Sequence, residues 1–441
     1  MNRRLLIPLG IEPDTTHTEL QLQKSHASRV LLLVSYLVHR DIVYKRRHVD
    51  DHDFLPKPSY FHQLHSNLLK IIFGKKHYKH FVQLLERVGW IEVDHSYVNA
   101  KNSFAGHRGR SKSYRLGEKL FRVSEGAEKY KVYECDDRKA INALNTLVSL
   151  TRRRKVEGIV LSERVKGLLL GSLDQIDSGT LPVGAQWSFA TGPSQCKFGR
   201  RFHSAITNLK KVRRSDLRIK GYSGHLVEID IQNSQVFMLG QICNIDLIRS
   251  AIGEQNLALE MIIGELSASN GFRSLLADLA NGVDVYEALP SGLGISREQA
   301  KEEVFKLLFG YPYSNLNSPF DQKYPGVLSC LDRIKSLPIA TNSSKKMHSN
   351  VACLLQRIES FFALEQVLSR AIRDYSIDFV LTIHDSWIVK EQDVCKIQQV
   401  IRQVAIELFG MIPTLKVKDL QKKAFPKEKA LGQMFVYSYC A

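Results

Sequence analysis

Two aspartates, Asp230 and Asp385, each close a run of β-type apolar residues. The first stands in Leu226-Val-Glu-Ile-Asp-Ile-Gln-Asn-Ser-Gln235 and the second in Leu381-Thr-Ile-His-Asp-Ser386. Carboxylates at the ends of neighbouring strands can share a pair of divalent cations, the arrangement that in-line phosphoryl transfer requires. Each aspartate alone also has an ordinary explanation. Asp230 could cap the helix predicted after it, and Asp385 could sit in an Asp-Ser turn. A lone His384 would more often be a packed, hydrogen-bonded histidine. The second run has apolar flanks on both sides, from Asp378 to Lys390, and so predicts a hairpin whose tight turn exposes one aspartate. Polar residues inside such a run are costly to bury unless they are paired or metal-bound.

Between the two runs lies a helix pattern, Ile295 to Gly310. Ser296 is the expected N-cap, with Gln299 completing a capping box. Arg297, Lys301, Phe305 and Phe309 recur every fourth residue and form one slowly drifting stripe. Two cations and two aromatics on one face suit a nucleoside triphosphate: the cations for the phosphates, the rings for base and sugar. The competing structural explanation is an amphipathic helix with a core-facing Phe pair and two solvated cations.

In this order and spacing the three pieces resemble motifs A, B and C of family A DNA polymerases and of the single-subunit, phage-type RNA polymerases. The stripe Arg297, Lys301, Phe305, Phe309 and Gly310 is similar to motif B, and His384-Asp385-Ser386 to motif C. Upstream, Gly199-Arg-Arg-Phe-His-Ser204, Asn208 and the basic stretch Lys210 to Arg218 resemble the segment that contacts template and primer. The resemblance covers residues 197–420. It implies an α+β fold: a right-hand polymerase palm with an antiparallel sheet, carrying helical fingers. It also implies that Asp230 and Asp385, with the backbone carbonyl of Ile231, bind two Mg²⁺ ions, for which Mn²⁺ can substitute. Arg297 and Lys301 would grip the triphosphate, with Lys301 as proton donor to pyrophosphate. Phe305, Phe309, Gln235 and His384 would line the nucleotide site. Arg200, Arg201, His203, Asn208, Lys210, Lys211, Arg213, Arg214 and Gln356 would meet nucleic acid.

The product is less well defined. Five residues after the first aspartate, DNA polymerases of this family carry a glutamate that blocks the ribose 2′-hydroxyl. Here Gln235 stands there, and its bulk favours deoxynucleotides. Ser386, by contrast, is the form seen in the RNA polymerases, and Phe309 replaces the usual tyrosine. A DNA-directed DNA polymerase is the leading expectation. An RNA polymerase or primase of the same fold is the runner-up, and a non-catalytic replication initiator or regulator the rival from another class.

The elements around these motifs divide the 441 residues further. Residues 1–58 are expected as an N-terminal helical arm. Residues 59–120 predict helix, helix, strand, basic loop and strand, which resembles a winged-helix module. Lys76 and Lys79 on its second helix, with Arg108, Arg110 and Lys112 in the wing, would contact DNA. His48, His52, His62 and His65 nearby, with Asp50 and Asp51 but no cysteine, are expected to be solvated rather than zinc ligands. Residues 121–196 are expected to be a helical thumb-like or linker region. Residues 197–245 would hold the first aspartate, 246–375 the fingers, and 376–441 the second aspartate. From 197 onward, strands and helices are expected to alternate.

Charge supports a polyanionic partner. Residues 1–221 hold 40 Lys and Arg against 21 Asp and Glu, whereas residues 222–441 hold 22 against 24. Each phosphate contact releases counterions, so a basic half suits DNA template and primer. No apolar run is long enough to span a membrane. Seven scattered cysteines without metal-ligand spacing predict free thiols in a reducing, cytoplasmic setting.

Overall fold

The computed structural model describes residues 4–48, 60–95, 112–121, 130–181, 189–253, 255–289, 295–312, 318–339 and 344–421. The fold is mixed α+β with small antiparallel sheets. It divides into two compact units, residues 1–157 with 181–192, and residues 158–180 with 193–441.

In the first unit, β1 (Arg4–Pro8) is followed by α1 (Thr16–Glu19) and the long α2 (Lys24–His48). Then come β2 (His62–Gln63), α3 (Ser66–Phe73), α4 (Tyr78–Arg87), β3 (Ile91–Asp94) and β4 (Ser113–Leu116). The three short strands form an antiparallel sheet in the order β2-β4-β3. Gly89, at φ 74°, ends the α4 segment as a left-handed residue that glycine adopts without strain. β5 (Tyr130–Glu134) returns to pair with β1, and α5 (Arg138–Glu157) closes the unit. Leu33, Leu37, Ile72, Phe73, Leu85, Leu116 and Leu144 share one core. The basic run Arg152–Lys155 lies in the last turns of α5.

One of the four histidines expected to be solvated is buried, whereas His65 is exposed as expected. His62 is buried and its Nε2 lies 2.6 Å from Asp41, itself fully buried. The His65 ring accepts the Asn67 backbone N–H and caps α3. A buried carboxylate needs such partners; Asp41 also accepts from the Tyr60 N–H. Arg108 and Arg110 of the expected wing, and His52, Asp50 and Asp51, lie outside the described residues.

The second unit begins with α6 (Glu163–Gln175) and the small hairpin β6 (Ser194–Gln195) and β7 (Phe202–His203). Its main sheet runs β11-β8-β10-β9, all antiparallel neighbours: β8 (Leu226–Ile231), β9 (Leu381–Ile383), β10 (Ser386–Lys390) and β11 (Leu415–Asp419). The expected alternation of strands and helices does not occur. Between β8 and β9 the described chain is helical. It forms α7 (Ser234–Gly240), α8 (Ile245–Ile252), α9 (Leu257–Ala268), α10 (Asn270–Ala280), α11 (Val285–Ala288) and α12 (Arg297–Phe309). α13 (Pro319–Lys323), α14 (Val327–Lys335), α15 (Asn350–Ser360) and α16 (Leu368–Tyr375) complete the stretch. A π-helical segment, Phe361–Val367, joins α15 to α16. α17 (Val394–Phe409) precedes β11.

Strand alternation gives the sheet two chemically different faces. Val227, Ile229, Trp387 and Val389 form the apolar face, where Trp387 meets Phe362 and donates its indole N–H to the Ala363 carbonyl. Glu228, Asp230 and Ser386 occupy the other. Cys135, Cys196, Cys243, Cys330 and Cys353 are free thiols, as expected. Among the described residues no helix is long and apolar enough to cross a membrane.

Ile229 is fully buried in a strand flanked on both sides. Ile229→Ala should lower stability by about 2–5 kcal/mol through the lost burial and the cavity left behind, measurable as a shift in the urea midpoint at unchanged slope.

Candidate active site

The β8–β10 register brings the two aspartates together. Ser386 stands opposite Asp230, so Asp385 precedes the pair by one residue. The backbone N–H of Ile231 donates to the Asp385 carbonyl at 3.3 Å. On the other edge of β8, Lys416 of β11 stands opposite Asp230. His384 holds the turn before Asp385 with φ 56°, and Asn233 holds the turn after β8 with the same φ. Histidine and asparagine are among the non-glycine residues that tolerate this left-handed region. Asn233 does not cap α7 through its side chain. Asp230 is thus placed by the strand rather than recruited as a helix cap.

Electrostatics of the pair are strained. The Asp230 carboxyl is pushed up to about 6, first by burial, then by Asp385 and by Glu228, against the pull of Lys211 and Lys416. Among the described residues neither Asp230 nor Asp385 has a salt-bridge partner. Glu228, two residues before Asp230 on the same face, is a third carboxylate that sequence reasoning missed. It pairs with Arg214 and accepts from the Ser386 hydroxyl at 3.2 Å. Its signal was there in the strand period. Burial lowers His384 to about 4, helped by Arg201, His203 and Arg214, which leaves the ring neutral near pH 7. The His203 ring lies edge-on to it at 5.6 Å.

A second missed carboxylate, Glu359 of α15, lies almost fully buried. Arg201 donates to both its oxygens, at 2.8 and 2.9 Å, and the Gln235 amide donates to the second. Burial raises Glu359 to about 7 although Arg201 pulls the other way. Gln235 is itself buried and fixed by this bond. Arg201 and Arg214 therefore meet internal carboxylates, while Lys210, Lys211, Arg213 and Asn208 are exposed beside them. Arg200 has φ 53° in the turn before β7. Gln356 packs on Gly199 so closely that a Cβ there would collide with its side chain. Arg357 and Ser360 donate to carbonyls of residues 197–199, tying this loop to α15.

α12 begins as its sequence predicts: Ser296 accepts from the Gln299 N–H and the Gln299 side chain accepts from the Ser296 N–H. Its core face is Ala300, Val304, Leu307 and Leu308. The Phe305–Phe309 pair, ring centroids 5.1 Å apart, is only partly buried. Lys301 is exposed, 5.5 Å from the Phe305 ring. The buried Lys335 donates to the Leu307 carbonyl at 2.6 Å and fixes the helix C-terminus to α14. Arg297, at the N-terminus, donates to Asp284 through Nε and Nη2, at 3.1 and 2.7 Å, and to the Asn233 side-chain oxygen. In the other unit, Lys76 and Lys79 are exposed, and Lys112 is bonded to His95, which is bonded to Glu86.

No family model matches the chain, and no curated protein matches it. Among solved structures it is similar to the POL domain of Pol1 from M. smegmatis in complex with DNA primer-template and dNTP. Identity is 17%, over 58% of this chain and 50% of that one, with a TM-score of 0.27. The match spans half the length of that domain. A likeness at this level carries no functional weight, and the residues themselves must carry the reading.

The Asp230 shift has a sign that can be checked without metal. Its folded value lies above the usual carboxylate range, so the folded state holds the proton more tightly than the unfolded chain. Stability should therefore fall as pH rises from about 4 to about 6. Asp230→Asn should be more stable than wild type above pH 6 by about 1–2 kcal/mol, less than the full shift because the group is partly open to solvent. The gap should close below pH 4 in thermal melts of metal-free protein.

Proposed function

We propose that the chain is a template-dependent nucleotidyltransferase, and in its preferred form a DNA-directed DNA polymerase with palm and fingers. The observation that carries the reading is the closeness of Asp230, near the end of β8, to Asp385, in the turn just before β10, with no salt bridge to either among the described residues. Two like charges held together in a partly buried site favour a divalent cation, and an all-oxygen donor set suits Mg²⁺, with Mn²⁺ as substitute. Among the described residues no cluster of three or more His, Cys, Asp or Glu forms a complete metal cage. That is compatible with Mg²⁺, which keeps several waters and takes one or two carboxylates plus substrate phosphates.

Asp230, Asp385 and the Ile231 carbonyl would hold the cations. Bound there, they supply the Lewis-acid chemistry of phosphoryl transfer. Lys301 directs its ammonium to the phosphates and holds a proton for the leaving pyrophosphate. Phe305 and Phe309 offer partly open ring surface for base and sugar. Lys210, Lys211 and Arg213 meet the nucleic-acid backbone, and Gln356 lies near the loop they follow. The helical stretch carrying α12 would be the fingers, and the β8–β10 sheet the palm.

Two contacts favour DNA over RNA as product. Gln235 is anchored by Glu359, so its bulk stays where a ribose 2′-hydroxyl would have to fit. Ser386, the RNA-polymerase-like residue, has the Glu228 carboxylate beside it. The carboxylate that DNA polymerases carry next to the second aspartate is thus supplied from the neighbouring strand. The first unit, with its β2-α3-α4-β3-β4 order, supports a winged-helix reading in which α4 lies against DNA. Lys75, Lys76, Lys79, His80 and Arg87 are exposed on and just before that helix.

Asp385→Asn should cut primer extension by about three orders of magnitude, equivalent to about 4 kcal/mol of transition-state stabilisation, while DNA binding persists. Purified protein given dNTPs or rNTPs on primed and unprimed templates reads both reaction and product. Unprimed synthesis from rNTPs alone would favour the RNA polymerase, and extension by the Asn variant at the wild-type rate would refute the two-metal mechanism. Replacing Lys75, Lys76 and Lys79 together by alanine should reduce the slope of log K against log salt for duplex DNA by about 3.

A further inference from the structure

Arg297 and Lys301 lie one turn apart on the same helix face, yet their surroundings differ. Among the described residues Lys301 has no salt bridge to a carboxylate; its ammonium lies 5.5 Å from the centroid of the Phe305 ring. Arg297 is held by several groups. Asp284 Oδ2 accepts from both Nε and Nη2, Asn233 Oδ1 accepts from Nη2, and Glu287 lies 3.4 Å from Nε. The Tyr286 ring lies 5.5 Å from the guanidinium carbon.

Asp284 is a hub. Its Oδ1 accepts the backbone N–H groups of Tyr286 and Glu287, capping α11. Its Oδ2 accepts the Gln232 side-chain amide at 2.9 Å as well as Arg297. The carboxylate is 8% exposed and Arg297 30%. Burial works to raise Asp284, but the bonds from Arg297, Gln232 and Asn233 outweigh it and hold the group charged. Gln232 and Asn233 follow Asp230 by two and three residues. One carboxylate thus joins the N-terminus of α12 to the turn that leaves the first aspartate.

We infer that Asp284 occupies the guanidinium that a nucleotide triphosphate needs, so that nucleotide binding is an exchange in which Arg297 trades Asp284 for phosphate. The inference rests on the polymerase reading of α12. An Oδ2 accepting two guanidinium N–H groups presents the same charge and acceptor geometry as a phosphate oxygen. A triphosphate docking on Lys301 therefore finds the second cation already bonded, and must outcompete Asp284 for it. The exchange loosens the Asp284-centred tie to Gln232 and Asn233. Capture of the nucleotide is thereby linked to the turn that carries Asp230. A weakly matched nucleotide, which holds Arg297 poorly, loses it back to Asp284.

Asp284→Asn isolates the charge, because asparagine keeps the oxygen that caps α11 and is as good an N-cap. Binding of a single dNTP with Mg²⁺ is measured by titration, alongside KM and kcat for primer extension. The dissociation constant and KM should each fall about tenfold, the scale of one charge-assisted hydrogen bond no longer opposed. In an Arg297→Ala background the same substitution should change neither. A thermal melt of Asp284→Asn close to wild type shows that the cap survives. Unchanged or weaker dNTP binding in a folded Asp284→Asn protein would overturn the exchange, as would a gain that persists without Arg297. Wild-type protein that extends primers while Asp284→Asn shows no tighter binding sinks the exchange alone. Wild-type protein that neither binds dNTP nor extends primers sinks the polymerase reading with it.

Discussion

Everything at the candidate site depends on the register of β8 against β10. With Ser386 opposite Asp230, Asp230, Glu228 and Ser386 share one face, with Asp385 in the turn beside them, while Ile229 and Trp387 share the other. A slip by one residue would carry Asp230 into the apolar face and Ile229 into the polar one. That penalty is large because Ile229, Trp387 and Val389 are fully buried. The packing of helices on the apolar face and the chemistry of the polar face are therefore two consequences of one hydrogen-bonding pattern. The Trp387 indole reinforces it by reaching the Ala363 carbonyl in the π-helical segment, where the widened turn of the backbone departs from the usual helical ladder.

Around that register, charge is buried in pairs. Glu228 meets Arg214, and Glu359 meets Arg201 and Gln235. Such pairs contribute little net stability, since desolvation offsets most of the attraction. Removing one partner is another matter, because a lone buried charge remains. They act here as locks on geometry. Arg214 leads from the basic segment into the sheet, and Arg201 leads from the β6–β7 hairpin to α15. Both cations come from the stretch that precedes the first aspartate, so that stretch is fastened to the sheet and to α15 at two points.

Much of this was legible in the chain. The apolar alternation of Leu226 to Ile231, the capping box at Ser296 and the hairpin through His384-Asp385 rest on local spacing, and local spacing survives folding. The α3–α4–β3–β4 order was readable for the same reason, through Gly89 and the amphipathic faces of the helices. What stayed hidden depends on long-range pairing. Nothing near Arg201 in sequence announces Glu359, 158 positions away. Nothing near Arg297 distinguishes it from Lys301 until Asp284 is placed. Glu228 was a partial exception, since a period of two already put it beside Asp230. The expected strand–helix alternation failed because helices of mixed polarity and short strands look alike over five or six residues. His62 misled because a polar neighbourhood in sequence says nothing about the Asp41 that folding brings to it.

The passage of the chain between units has a separate consequence. It crosses after residues 157, 180 and 192 rather than once. Lys155 donates to the Thr191 hydroxyl and the Gly192 carbonyl, which stitches the returning segment onto the end of α5. The N-terminal unit is therefore not a bead on a string. Recombination that exchanged residues 1–157 alone would leave Thr191 and Gly192 facing a foreign helix end. A transferable version of this unit is discontinuous in sequence and carries residues 181–192 with it, so inheritance by simple end-to-end shuffling works against this architecture.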